Sequence, residues 1–186
     1  MDDLAGHILL LSGHPGSGKT TTAEALAHLP GSAKVHLHSD DFWGYIKTGK
    51  IDPWLPEAHA QNAMINAIAA EVAGAYARKN YFVALDGVVR PWWLPAFMAL
   101  GLPLHYIVLR TEVEDAVDRC QRRGGDSLGD AAIIADLHAQ FENLGDYQHH
   151  ALPVGGLDRD ATLALVRKAL ASGRYRLNGP TSSTRD

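Results

Sequence analysis

Near the start of the chain a strand-like apolar run passes straight into a glycine-rich loop and then a helix, and few folds accept that junction. The run is His7-Ile8-Leu9-Leu10-Leu11-Ser12, and the loop is Gly13-His14-Pro15-Gly16-Ser17-Gly18-Lys19-Thr20. The loop fits G-x-x-x-x-G-K-[ST], and Thr21 follows it into the helix. Glycines let the backbone curl so that successive N–H groups converge on one anion. Lys19 can then reach the β- and γ-phosphates of a nucleotide, and the Thr20 hydroxyl can hold Mg²⁺. A helix over 20–29, closed by Pro30-Gly31, would aim its positive end at the same anion. A plain Gly-rich turn would not require Lys followed by Thr.

Chain length and charge then set bounds. The 186 residues suffice for one domain with a real core. Seventeen basic side chains face 21 acidic ones, which excludes a broad basic surface for nucleic acid. A single cysteine, Cys120, excludes an internal disulfide and fits a reducing compartment. Met1-Asp2-Asp3 is acidic where a secretion signal would be basic, and no apolar run approaches the ~20 residues of a membrane span. The expectation is a cytoplasmic protein with no membrane or nucleic-acid partner, acting as monomer or homodimer.

Five strand-like runs, near 7–12, 33–38, 81–86, 104–109 and 151–154, alternate with helical stretches. Such alternation predicts an α/β fold with parallel strands and helices on both faces. Over 56–79, Ile65, Ile68, Val72 and Tyr76 mark an inward helical face, and over 130–147 Ile133, Leu137, Phe141 and Leu144 do the same. Asp158 is an N-cap for the last helix, which turns Leu163, Val166 and Leu170 inward. Residues 1–177 read as a single domain, and 178–186 as a disordered tail.

Ligands of open α/β sheets sit beyond the carboxyl ends of the strands. After the second run stand Asp40 and Asp41; after the third stand Asp86 and Arg90. Carboxylates beside a phosphate site suit phosphoryl transfer, which is mostly positioning and charge stabilisation. Asp40, first past its strand, is the candidate base. Asp41 either joins Thr20 on Mg²⁺ or caps the next turn. Asp86 is the candidate metal-side acid, directly or through water. Trp43, Tyr45, Trp54, Trp92, Trp93 and Arg90 could frame a small hydroxylated acceptor.

Thr111 and Glu114 form a capping-box pattern, so a helix starts there with Val113, Ala116, Val117 and Cys120 inward. Arg119 and Arg123 share one flank, Arg122 lies opposite, and Gly124-Gly125 offers a hinge. An arginine-bearing lid follows, which would neutralise the transferring charge. The ten histidines show no metal pattern, and His36 and His38 read as structural.

These motifs together resemble the P-loop small-molecule kinases over roughly 5–172. The motifs are the phosphate loop, Ser39-Asp40-Asp41-Phe42, Leu85-Asp86-Gly87-Val88, Val108-Leu109-Arg110 before a helix, and Arg119-x-x-x-Arg123-Gly-Gly. That group includes chloramphenicol phosphotransferase, gluconate kinase, shikimate kinase and zeta-toxin kinases, with nucleoside monophosphate kinases as cousins. The resemblance implies a three-layer P-loop NTPase fold with a five-stranded parallel sheet of order 2-3-1-4-5. It also implies ATP and Mg²⁺, Asp40 as base, Arg119 and Arg123 in a short lid, and adenine near Val154-Gly155-Gly156-Leu157. Residues 40–77 lack arginine, which points away from a nucleotide acceptor. The expected activity is an ATP-dependent kinase for a small-molecule hydroxyl. The alternatives are a cytidylate-type kinase, an antitoxin-paired kinase of zeta-toxin type, and a nucleotide-binding regulatory ATPase.

Overall fold

The computed structural model describes residues 4–123 and 128–177. The Gly124-Gly125 hinge, the side chain of Arg123 and the tail 178–186 lie outside the described residues. Strands β1 (Ile8–Gly13), β2 (Lys34–His38), β3 (Phe82–Gly87), β4 (Leu104–Arg110) and β5 (Ala151–Pro153) form a parallel sheet of order β2-β3-β1-β4-β5. All five lie within a residue or so of the runs the sequence marks. A short strand not anticipated from the sequence, β6 (Arg176–Leu177), pairs antiparallel with β4 at Leu104↔Leu177. β1 runs along one edge of β4, so β6 shares the other edge with β5.

The helices are α1 (Lys19–Ala27), α2 (Asp40–Gly44), α3 (His59–Ala77), α4 (Leu94–Met98), α5 (Val113–Arg123), α6 (Ala131–Ala139) and α7 (Arg159–Ala171). Strand side chains alternate between faces, and each face has its own core. Ile8, Leu10, Val83, Leu85, Tyr106 and Val108 pack with α3 and α4. Leu9, Leu11, Phe82, Ala84, Ile107 and Leu109 pack with α1 and α7. Each fully buried Leu or Ile stabilises the fold by about 2 kcal/mol.

Two helical readings need correction. α3 turns Ile65, Ala69, Ala70, Ala73 and Ala77 to the core, whereas Ile68 and Tyr76 are exposed. Small side chains let this long helix lie close to the sheet, so alanines outrank larger apolar residues at the contact. Tyr76 instead meets Tyr81 edge-on at 5.8 Å. The second correction is 130–147: α6 stops at Ala139 and a 3₁₀ segment runs Gly145–His150. Phe141 and Leu144 are still buried, but they reach the core from the connecting turn.

Helix ends follow local chemistry. Asp158 caps α7 by accepting from the Ala161 N–H at 2.8 Å. Asp130 caps α6 through Ala132 and Ile133. The expected capping box at Thr111 is replaced. Its hydroxyl donates to the Glu112 carbonyl at 3.2 Å, while its N–H goes to His14 Nε2 at 3.2 Å. That second bond ties the phosphate loop to the end of β4.

Candidate active site

The phosphate loop joins β1 to α1. Gly16 and Gly18 hold φ near 78° and 88°, the left-handed region that glycine enters without penalty. At Gly16 a Cβ would also stand 2.5 Å from the Ala116 carbonyl, so α5 packs directly on the loop. Lys19 is buried and donates to the His14 carbonyl at 3.3 Å, which folds its ammonium back over the loop. The Ser17 Oγ is buried in the loop without a hydrogen-bond partner. A buried hydroxyl left unsatisfied costs free energy, and a phosphate oxygen would satisfy it. The loop therefore fits a nucleotide.

At the carboxyl end of β3, Asp86 is fully buried. Thr20 Oγ1 donates to its Oδ2 at 2.6 Å, His36 Nε2 to its Oδ1 at 2.6 Å and His38 Nδ1 to its Oδ2 at 3.0 Å. Burial alone pushes this carboxyl up, but the three hydrogen bonds outweigh it and hold Asp86 well below the usual carboxylate range. The same bonds raise both histidines above their ordinary value. The Thr20 and Asp86 oxygens are the hard donors that Mg²⁺ prefers. His36 and His38 are thus more than strand packing. Two residues apart, they share one face of β2, and the β2–β3 register sets His38 opposite Asp86. The His-x-His spacing was the available signal; the partner lies about 50 residues away.

A cleft of about 870 Å³ opens from this point and brings together Lys19, Thr20, His38, Asp40 and Arg90. Asp40 starts α2, is mostly exposed, and lies 3.6 Å from His38 Nε2. His38 therefore bridges Asp86 and Asp40, the candidate metal-side acid and the candidate base. Asp41 is exposed and does not line the cleft. Of the aromatic group, Trp43, Trp54 and Trp93 line the cleft, while Tyr45 and Trp92 are exposed outside it. Trp43 is pinned by donating to Asn62 Oδ1 at 3.2 Å, and Asn62 in turn donates to the Pro53 carbonyl at 2.8 Å. Neither asparagine of this wall, Asn62 or Asn66, was singled out from the sequence. Arg90 is buried and lies over the Trp92 and Phe141 rings, at 5.5 and 6.0 Å.

A second cavity, about 440 Å³, lies against the other side of the phosphate loop. Its walls include Gly16, Gly18, Thr21, Leu157 and Thr162, together with Arg119 and Arg122. Arg119 Nη1 donates to the Gly16 carbonyl at 3.4 Å. Arg122, placed away from the site by helical geometry, reaches the cavity wall as well and pairs with Asp118 at 2.8 Å. Val154 is core, but Leu157 from the same segment lines the cavity. No described helix is long and apolar enough to cross a membrane.

The family model described as AAA domain matches residues 8–144. No curated protein matches the sequence. Among solved structures, a gluconokinase from Sinorhizobium meliloti 1021 superposes with TM-score 0.68 at 17% identity, covering 90% of this chain and 93% of that one. Thymidylate kinase from Candida albicans gives 0.67 at 18% identity, covering 94% and 96%. Shikimate kinase from Acinetobacter baumannii gives 0.58 at 23% identity, covering 92% and 93%. At these identities the likeness is one of fold.

Proposed function

The chain belongs to the AAA domain family and has the P-loop kinase fold, and on that premise we propose that it is an ATP-dependent phosphotransferase acting on a hydroxyl of a small molecule. The observation that carries this reading is a single cleft holding Lys19, Thr20 and Asp40 beside buried Asp86. In the proposed reaction Lys19 and the loop N–H groups hold the β- and γ-phosphates. Thr20 and Asp86 would hold Mg²⁺, which would supply charge neutralisation to the phosphates; Asp41, exposed outside the cleft, is left without that role. Asp40 takes the proton of the acceptor hydroxyl as its oxygen bonds to the γ-phosphorus. The bond from that phosphorus to the bridging oxygen breaks, and ADP leaves. Arg119 and Arg123 neutralise charge on the moving phosphoryl group and help exclude water. Leu157 and the start of α7 receive the base.

The test is ADP release and phosphorylated product across a panel of hydroxylated metabolites, with Lys19→Ala as control. Turnover on a non-nucleotide alcohol, lost at least 1,000-fold in Lys19→Ala, supports the reading. ATP hydrolysis with no acceptor consumed anywhere in the panel overturns it in favour of a regulatory ATPase.

A second reading, a nucleoside monophosphate kinase, draws support from the near-complete overlap with the Candida thymidylate kinase. Against it, residues 40–77 offer no arginine to grip an acceptor phosphate. Saturable turnover on CMP, dCMP, UMP, dTMP or AMP would decide for it.

A further inference from the structure

We infer that the acceptor carries a carboxylate as well as the hydroxyl, and that Arg90 is the residue that binds it. This rests on the kinase reading above for the role of the cleft, but not for the presence of the anion subsite. Arg90 is more than nine-tenths buried, lines the cleft, and its Nε has no hydrogen-bond partner. None of the ion pairs among the described residues includes it. Asp136, the acid that most favours its charge, is engaged by Gln140 Nε2 at 2.8 Å. The rings of Trp92 and Phe141 offset only part of the lost hydration of a guanidinium. A buried cation with an unused donor is costly unless an anion completes it.

The arginine is also held in place before any ligand arrives. The preceding residue, Val89, accepts at its carbonyl from Ser12 Oγ at 2.7 Å and from the Tyr106 hydroxyl at 2.8 Å. Its N–H donates back to Ser12 Oγ at 3.1 Å. Immediately after it, the Trp93 N–H closes on the Arg90 carbonyl at 2.9 Å. Such a backbone is a mount for a fixed fork, the geometry that matches a planar carboxylate. A phosphate dianion fits less well. The cleft also carries Asp40, Asp52 and Asp130, which disfavour a doubly charged ligand, and among the described residues Lys50 and His38 are its further basic groups away from the phosphate loop. The acceptor is therefore a hydroxy acid, small enough to share the cleft with the phosphates and with Trp43, Trp54 and Trp93 along its apolar side.

The test is calorimetric binding to the full chain with a non-hydrolysable ATP analogue and Mg²⁺. The probes are gluconate, glycerate, shikimate and quinate, their neutral amide or alcohol counterparts, and glycerol phosphate. At least one carboxylate is expected to bind 30-fold or more tightly than its neutral counterpart. That ratio should fall towards one in Arg90→Gln and lie between in Arg90→Lys, which keeps the charge but not the fork. If Arg90→Gln does not fold, the wild-type ratio and Arg90→Lys decide. A neutral compound binding as tightly as its acid, a preference for the phosphate ester, or an unchanged ratio in Arg90→Lys overturns the assignment. Selective carboxylate binding without phosphorylated product would leave the subsite standing and remove the kinase reading. Product formed equally from acid and neutral compound would do the reverse.

Discussion

Thr20 Oγ1 donates a 2.6 Å hydrogen bond to Asp86 Oδ2, joining the last residue of the phosphate loop to the acid at the end of β3. These residues are 66 positions apart; Thr20 lies in the first turn of α1, just past β1, and β1 pairs with β3, which carries Asp86. The contact ties Asp86 to the phosphate loop, where we propose the metal is held, and His36 and His38 hold the acid's orientation from β2.

Asp86→Asn keeps the shape but removes the charge and turns one acceptor into a donor facing a hydroxyl or histidine. The Mg²⁺ concentration for half-maximal rate should rise at least ~10-fold and kcat should fall ~100-fold. A magnesium titration of the steady-state rate checks this, and an unchanged titration curve would remove Asp86 from the metal side.

Asp40 is exposed on the cleft and lies 3.6 Å from His38 Nε2. Asp40→Asn should lower kcat by ~100-fold or more and leave ATP affinity within ~3-fold, because general-base loss acts on transfer and not on phosphate binding. Single-turnover rates and equilibrium ATP binding, measured on the same variant, separate the two.

Arg119 touches the loop through the Gly16 carbonyl, while Arg122 is tied to Asp118 at the cavity wall. Arg119→Ala should cost ~100-fold in kcat, the scale of a lost charge-stabilising donor. Arg122→Ala should act mainly on the KM for ATP, by ~3-fold. Equal losses in kcat from both would mean that the helix, not one arginine, faces the phosphoryl group.

Stability should peak near pH 6.5. Burial lowers His14 and His105 from 6.5 to about 4. The unfolded chain therefore takes up those protons first, and stability falls as pH drops from 6.5 to 4. His14 Nε2 also accepts from the Thr111 N–H, which only a neutral ring can do. His36 and His38 shift upward, so their contribution is complete below 6.5 and is lost as pH rises through their raised values. Thermal melts across pH 4–9 should show a loss of about 5–10 °C on the acid limb, shallower in His105→Gln. A Tm that keeps rising from pH 7 to pH 9 would contradict the upward shifts.

Much of the fold was legible because its signals are local. The strand-like runs, the phosphate loop, the Asp158 cap and the inward face of α5 all depend on residues a few positions apart. The misread helix faces show the limit. Ile68 and Tyr76 have the right spacing but are exposed, because the gap between α3 and the sheet admits alanine. Likewise Phe141 and Leu144 continue the period of α6 although the helix has already ended. Periodicity reports which residues are apolar, not how close two elements lie.

By itself the sequence determined the phosphate loop and the order of its strands and helices, since glycine, Lys19 and Thr20 act through neighbouring backbone. It also placed Asp40, Asp86 and Arg90 after strand ends, where an α/β sheet puts its ligands. Only the tertiary structure decided what each of them touches. It brought His36 and His38 onto Asp86 through the β2–β3 register, sorted the cleft-lining tryptophans from the exposed rings, and buried Arg90 with no hydrogen bond to its Nε from the described residues. Those are matters of distance and desolvation between segments far apart in the chain, and hydrogen bonds and buried charges depend on both.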